Sequence, residues 1–160
     1  MIGDIEPRHH SKILAMNKEF VHWLSPLDED GLKALLSVSS YSKQIDNASG
    51  VLIGYGHDVD YDHKNLQWLR LRYDRFYYID RVIIAAGAQG RGYARQLYED
   101  FEREAKQRGY PRLVCEVNTR PDNPGSHKFH EALGFTAVGD VDYPAFNASL
   151  RYYEKPLGEG

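Results

Sequence analysis

The chain has 160 residues, which suits one domain with a substantial core and no need of disulfide staples. Apolar residues at 42% and charged residues at 27% are ordinary for a soluble globular protein. A net charge of −3 without a basic run argues against nucleic acid as a partner. The single cysteine, Cys115, rules out an internal disulfide and favours a reducing compartment. No apolar run approaches membrane-spanning length, and the acidic, histidine-bearing N-terminus is not a signal peptide, so the expected location is cytoplasmic with no membrane partner.

Ile2 to Ile5 reads as a short strand, and Pro7 to Leu24 as a helix with Ile13, Leu14, Met16, Phe20, Val21 and Leu24 on its apolar stripe. Ser25-Pro26 breaks it. Asp28 to Val38 is the next helix, with acids in its first turn. Tyr41 to Ile45 and Val51 to Tyr55 read as strands joined by the turn residues Asp46 to Gly50. His9, His10 and His22 have no metal-ligand spacing and read as exposed polar residues. Gly56 to Asp74 has no clean period and reads as a long, substrate-facing loop. Its run His57-Asp58-x-Asp60-x-Asp62-His63 lacks the glycine and final glutamate of a calcium loop and has no cysteine for zinc, so no metal is expected.

Phe76 to Ile84 is an apolar, aromatic and β-branched run expected to form a central strand. Ala85 to Gly90 is a small-residue turn, and a helix begins near Arg91, with Ala94, Leu97, Tyr98, Phe101 and Ala105 along one face. A strand feeding a glycine-rich turn into a helix is an anion site, because the first helical N–H groups lack partners and the dipole is positive there. Gln89, Gly90, Arg91, Gly92, Tyr93 and Ala94 supply a close backbone approach, a slim first turn and positive charge, which Arg95 augments. Gly-Lys-Ser/Thr is absent, which excludes a P-loop. A dinucleotide fingerprint fails at its third glycine, where Arg95 stands, although Glu116 lies near the position of a ribose-binding acid.

Arg112 to Asn118 is the following strand, with Val114, Glu116 and Asn118 on one face. A carboxylate within an apolar strand is costly unless paired or functional, and both readings of Glu116 stand. Asn123-Pro124 opens a short helix through Ser126, Phe129, His130 and Leu133, and Gly134 ends it. Thr136 to Tyr143 and Leu150 to Lys155 complete the chain as strands.

The loop Gln89-x-x-Gly92-x-Ala94 and the helix Asn123-x-x-Ser126-x-x-Phe129-His130-x-x-x-Gly134-Phe135 together resemble the GCN5-related N-acetyltransferases. The two motifs span the C-terminal half; the N-terminal half agrees in its order of elements. What the resemblance implies is an α/β (α+β) fold with one mixed, twisted sheet of about six to seven strands and helices on both faces. It also implies acetyl-CoA as co-substrate: pyrophosphate on Gln89 to Ala94, the pantetheine arm along the backbone of Val82, Ile83 and Ile84, and Asn123 and Ser126 nearby. The family usually has tyrosine where this chain has His130, and that tyrosine is commonly the general acid, so His130 is the candidate acid here.

The implied reaction is direct attack of a primary amine on the thioester, with a carboxylate taking the amine's proton. Glu116 is the first candidate base and Asp80, beside Arg81, the second. The rival from another class is a non-catalytic acyl-CoA-binding module. The acceptor has no name at this level, and a homodimer is left open.

Overall fold

The computed structural model describes residues 1–158. In chain order they form β1 (Ile2–Asp4), α1 (His10–Glu19), α2 (Glu29–Val38), β2 (Tyr41–Ile45), β3 (Gly50–Gly56), α3 (Lys64–Arg72), β4 (Tyr77–Ile84), α4 (Tyr93–Gln107), β5 (Arg112–Arg120), α5 (Pro124–Ala132), β6 (Thr136–Tyr143) and β7 (Ala148–Pro156). The strands make one seven-stranded sheet in the order β1-β2-β3-β4-β5-β7-β6. Every neighbouring pair is antiparallel except β4 and β5.

Two cores sandwich this sheet. On one face Ile13 and Met16 of α1, Leu32 and Leu35 of α2, and Leu66 and Leu69 of α3 pack on Val51, Ile53, Tyr55, Tyr78, Val114 and Tyr152. On the other, Leu97, Tyr98, Phe101 and Ala105 of α4 cover Leu52, Tyr77, Ile79, Leu113 and Cys115, with Phe135 after α5 joining them. The alternation of β4 and β5 serves both cores, which is why each strand reads as nearly continuous apolar sequence.

Local chemistry sets the helix ends. Asp28 Oδ1 accepts from Gly31 N at 2.7 Å and caps α2. Gly92, in the left-handed region at φ 79°, stands just before α4, so that helix begins at Tyr93 rather than near Arg91. The expected helix from Pro7 to Leu24 is shorter: a 3₁₀ turn covers Pro7–His9 and α1 ends at Glu19. His9 is buried rather than exposed, with Nδ1 accepting from Glu6 N at 3.0 Å.

The largest departure is α3, which lies inside the stretch read as an irregular loop. Its nine residues carry only Leu66 and Leu69 as buried anchors, too few for a helical period to emerge from the charged neighbours. Its N-cap is His63, whose Nδ1 accepts from Leu66 N at 3.4 Å, and histidine is not a usual capping residue. Trp68 of α3 stacks on Tyr152 at 4.1 Å, which fixes the helix against β7. No helix among the described residues is long and apolar enough to cross a membrane.

The pairing of β3 with β4 slips by one residue: Ile53 faces Arg81 and Gly54 faces Ile79, so Asp80 is the extra residue of a β-bulge. Gly54 is the residue that lets the strands close here. A Cβ on it would stand 2.5 Å from the Tyr78 carbonyl oxygen and 2.6 Å from Phe101 Cε1. Gly54→Ala should therefore destabilise the fold by about 1–3 kcal/mol, as overpacking does. Urea denaturation will read this as a lower midpoint with an unchanged slope.

Candidate active site

β4 and β5 share only two register pairs, Tyr77↔Leu113 and Tyr78↔Val114. Beyond them the strands part, and the edge of β4 from Ile79 to Ile84 has no strand beside it on the β5 side. Such an edge leaves backbone donors and acceptors available to an extended ligand. Val82 and Ile84 are half-buried and Ile83 is buried in the core shared with α1 and α2.

At the end of this opening lies the turn into α4. Gly90 and Gly92 both have positive φ, 85° and 79°. A Cβ on Gly90 would meet nothing within 4 Å, and one on Gly92 would only graze Gln96 Nε2 at 4.0 Å. Packing does not require these glycines; backbone conformation and an open cradle do. No side chain caps α4, so its first-turn N–H groups face that cradle. Arg91 lies 3.6 Å from Asp46, whose carboxylate also accepts from Tyr93 Oη at 2.7 Å. Arg95 and Gln89 are exposed and Ala94 half-buried at the same turn.

Glu116 lies on the floor of the opening. It stands opposite Tyr152 in the β5–β7 register, two residues beyond the last β4–β5 pair. Tyr78 Oη donates a hydrogen bond to its carboxylate. The residue keeps some solvent access, yet desolvation of the carboxyl raises its pKa to about 7. Tyr78 works against that rise by bonding the charged form, Asp80 adds to it, and Lys64 opposes it.

Asp80 is differently placed. Its Oδ2 accepts from Tyr55 Oη at 2.5 Å and its Oδ1 from Arg81 Nε at 2.8 Å. Arg81 in turn reaches Asn17 Oδ1 at 2.8 Å and Ser25 Oγ at 2.9 Å, so the pair ties β4 to the connection between α1 and α2. His63 completes the group: its Nδ1 is spent on the α3 cap, so Nε2–H donates to Tyr55 Oη at 2.9 Å. Asp80 is thus held by an ion pair and a phenol, whereas Glu116 has a phenol and no ion pair among the described residues.

His130 does not face the opening with a free nitrogen. It is 3% exposed, packed on Tyr98, Phe129, Phe135 and Tyr153. Nδ1–H donates to the Ser126 carbonyl at 2.7 Å, which leaves Nε2 as the acceptor from Tyr98 Oη at 2.8 Å. Burial depresses its pKa to about 4, with the bond to Ser126 opposing. The expectation that His130 donates a proton meets this geometry: the ring is neutral and both nitrogens are engaged within the chain.

Asn123 precedes α5 without capping it by its side chain; its carbonyl instead accepts from Ser126 N and His127 N. The side chain of Asn123 therefore makes no capping bond to α5. Trp23 Nε1 donates to the Asp122 carbonyl at 3.1 Å, carrying the α1–α2 connection across to the loop after β5. Sequence reading missed Tyr78, because its pairing with Glu116 depends on the β4–β5 register, and it missed Tyr98 for the same kind of reason. Of the His57 to His63 run, Asp62 pairs with Arg70 and His63 caps α3. No cluster of three or more metal-ligating side chains occurs among the described residues.

The sheet is thus split between its one parallel pair, with an open glycine turn at one end of the split and a carboxylate on its floor. The family model for the acetyltransferase (GNAT) family matches residues 15–135, and the chain belongs to that family. Among solved structures it is similar to an N-acetyltransferase from Staphylococcus aureus Mu50, at 21% identity and TM-score 0.73, over 99% of this chain and 98% of that one. It is similar to the ribosomal-protein-S18-alanine N-acetyltransferase from Escherichia coli at 14% identity and TM-score 0.71, over 100% and 95%. A third, yncA from Salmonella typhimurium with its cofactor acetyl-CoA, matches at 16% identity and TM-score 0.70, over 100% and 95%. These identities establish a shared fold. No curated protein matches the chain.

The His130 geometry has a measurable consequence for stability. The folded protein holds this ring neutral down to about pH 4, while the unfolded chain takes up the proton near the ordinary histidine value. Stability should therefore fall as pH drops from about 6.5 toward 4, by up to about 3 kcal/mol from this group. Urea melts at pH 7, 5.5 and 4.5 should show a shallower pH slope in His130→Phe than in the parent.

Proposed function

We propose that the chain is an acetyl-CoA-dependent N-acetyltransferase, with Glu116 as the general base that deprotonates a primary amine. The observation that carries this reading is a carboxyl with a pKa of about 7 on the floor of the β4–β5 opening. A base must be ionised and yet basic enough to take a proton near neutral pH, and a pKa near the working pH meets both demands.

The residues present fit the coenzyme. The open space at Gly90 and Gly92 and the uncapped start of α4 suit a pyrophosphate, to which Gln89 to Ala94 would donate backbone N–H groups and Arg91 and Arg95 charge. The unpaired edge of β4 at Val82 to Ile84 would take the pantetheine arm, and Asn123, whose side chain makes no capping bond, would contact it with Ser126. Bound there, the coenzyme supplies an acetyl group activated as a thioester.

The chain's own contribution is to orient the amine and move one proton. Glu116 accepts it, Tyr78 stabilises the ionised carboxylate beforehand, and backbone N–H groups on the free β4 edge are placed to receive developing charge. Asp80 serves this reading as a structural ion pair that holds the α1–α2 connection. His130 is assigned to positioning, since its neutral ring locks Tyr98 of α4 to α5. The free, buried thiol of Cys115 supports a reducing, cytoplasmic setting.

Acetyl-CoA should raise the melting temperature, because a ligand selective for the folded state stabilises it by mass action. Gly92→Val should remove that shift while the unliganded variant still melts cooperatively. An unaltered shift in the variant would remove the loop from the binding site.

Turnover should rise with pH through an inflection near 7 as Glu116 ionises. Glu116→Gln should keep acetyl-CoA affinity and lose about two to four orders of magnitude in turnover. Tyr78→Phe deletes the bond to the ionised form, so its inflection should move to higher pH. A pH–rate profile of the three proteins with any accepted amine checks the assignment; an active Glu116→Gln with an inactive Asp80→Asn would transfer the role.

A further inference from the structure

The first two residues of α3 stand against the same floor as Glu116. Asn65 Oδ1 accepts from Tyr152 Oη at 2.8 Å, and Tyr152 is the residue directly across the β5–β7 ladder from Glu116. Because the Tyr152 proton goes to Asn65, Tyr143 Oη is the donor in its 2.6 Å contact with Tyr152 Oη. Lys64 lies over Tyr143 of this pair, its Nζ 5.4 Å from that ring centre and 4.6 Å from the ring centre of Phe146. Phe146 sits in the turn between β6 and β7 and is 63% exposed.

The ammonium of Lys64 has no anionic partner among the described residues. Arg70 of the same helix pairs with Asp62 and Arg81 of β4 with Asp80, but no carboxylate lies within 4 Å of Lys64 Nζ among the described residues. Nor does α3 ask for a cation at its first position, since the helix dipole favours acids there. Two aromatic rings hold the charge beside the floor instead. Glu116 and Asp80 would otherwise make this region repel any anion, so Lys64 is the group that can offset an acid brought in by a ligand.

We propose that Lys64 is a specificity-determining residue that receives an anionic group of the acceptor, so that the acceptor is an amine bearing a carboxylate: an amino acid rather than a polyamine. This rests on Glu116 as the base of the same site. The amine would lie at Glu116, the acid at Lys64, and the body of the acceptor along Tyr143 and Phe146, whose faces suit apolar contact. A phosphate would satisfy the same ammonium, and the test separates the two.

The experiment measures acetyl-CoA consumption with the twenty amino acids, β-alanine and γ-aminobutyrate, each beside its decarboxylated amine, together with phosphoethanolamine and spermidine. Calorimetry with coenzyme A present reads binding of the same compounds without turnover. At least one amino acid should exceed its decarboxylated partner about tenfold or more in kcat/KM. In Lys64→Met that ratio should collapse toward one through KM rather than kcat. Lys64→Glu, which suits the first turn of a helix and should fold, should invert the preference toward spermidine. Phosphoethanolamine exceeding every amino acid, a preference that survives Lys64→Met, or no amino acid binding beside coenzyme A would each overturn the proposal. An amino acid that binds through Lys64 but is not acetylated would uphold this assignment and overturn Glu116 as base.

Discussion

The parting of β4 from β5 is the constraint to which the rest of the structure answers. A sheet gains its stability from paired backbone groups, and an unpaired edge inside the fold is expensive unless something covers it. Here the pair is abandoned after Tyr78 and Val114, in the middle of the sheet rather than at its margin. The neighbours compensate. β3 stays bonded to β4 along its whole length, though it must slip by one residue at Gly54 to do so. β5 is held from its other side by β7 from Arg112 to Arg120. The opening is thus a gap between two well-supported half-sheets.

The bulge and the ion pair belong together. Inserting Asp80 as the extra residue of β4 turns its carboxylate to meet both Tyr55 and the following Arg81. Arg81 is 7% exposed, and its guanidinium is satisfied by Asp80, Asn17 and Ser25. A buried charge is tolerable when paired and fully bonded, and here the pairing also specifies where the α1–α2 connection crosses the sheet. Two carboxylates on neighbouring strands therefore have opposite characters. One is committed to holding the fold; the other, short of partners, keeps a proton affinity near neutrality.

How much of this was legible in the sequence depends on what each feature needs. The glycine turn and α4 were readable because their chemistry is local: left-handed glycines, an uncapped helix start and a single apolar stripe. Glu116 was readable as an anomaly, an acid in an apolar strand, but its two explanations could be separated only by seeing that Tyr78, and no cation, bonds its side chain. That contact joins residues 38 apart through a strand register, which local pattern does not encode. α3 was missed because its stability comes from Trp68 on Tyr152 and a histidine cap rather than from its own periodicity. His130 was placed on the correct helix, but the partner that occupies its nitrogen, Tyr98, comes from a different helix.

The same dependence on distant partners explains why histidine can stand at position 130. A tyrosine there would carry its hydroxyl well beyond the reach of an imidazole, and the Tyr98 hydroxyl would lose its acceptor. The imidazole is short enough to end inside the core, where Nε2 accepts a hydrogen bond from Tyr98 Oη and Nδ1–H donates to the Ser126 carbonyl one turn earlier. Tyr98 and His130 thus form one buried unit linking α4, which follows the open glycine turn, to α5, which Asn123 precedes. On the proposed reading, the residue that breaks the family pattern contributes by fixing the two helices that would hold the coenzyme. The proton chemistry then rests on the opposite face of the sheet, with Tyr78 and Glu116.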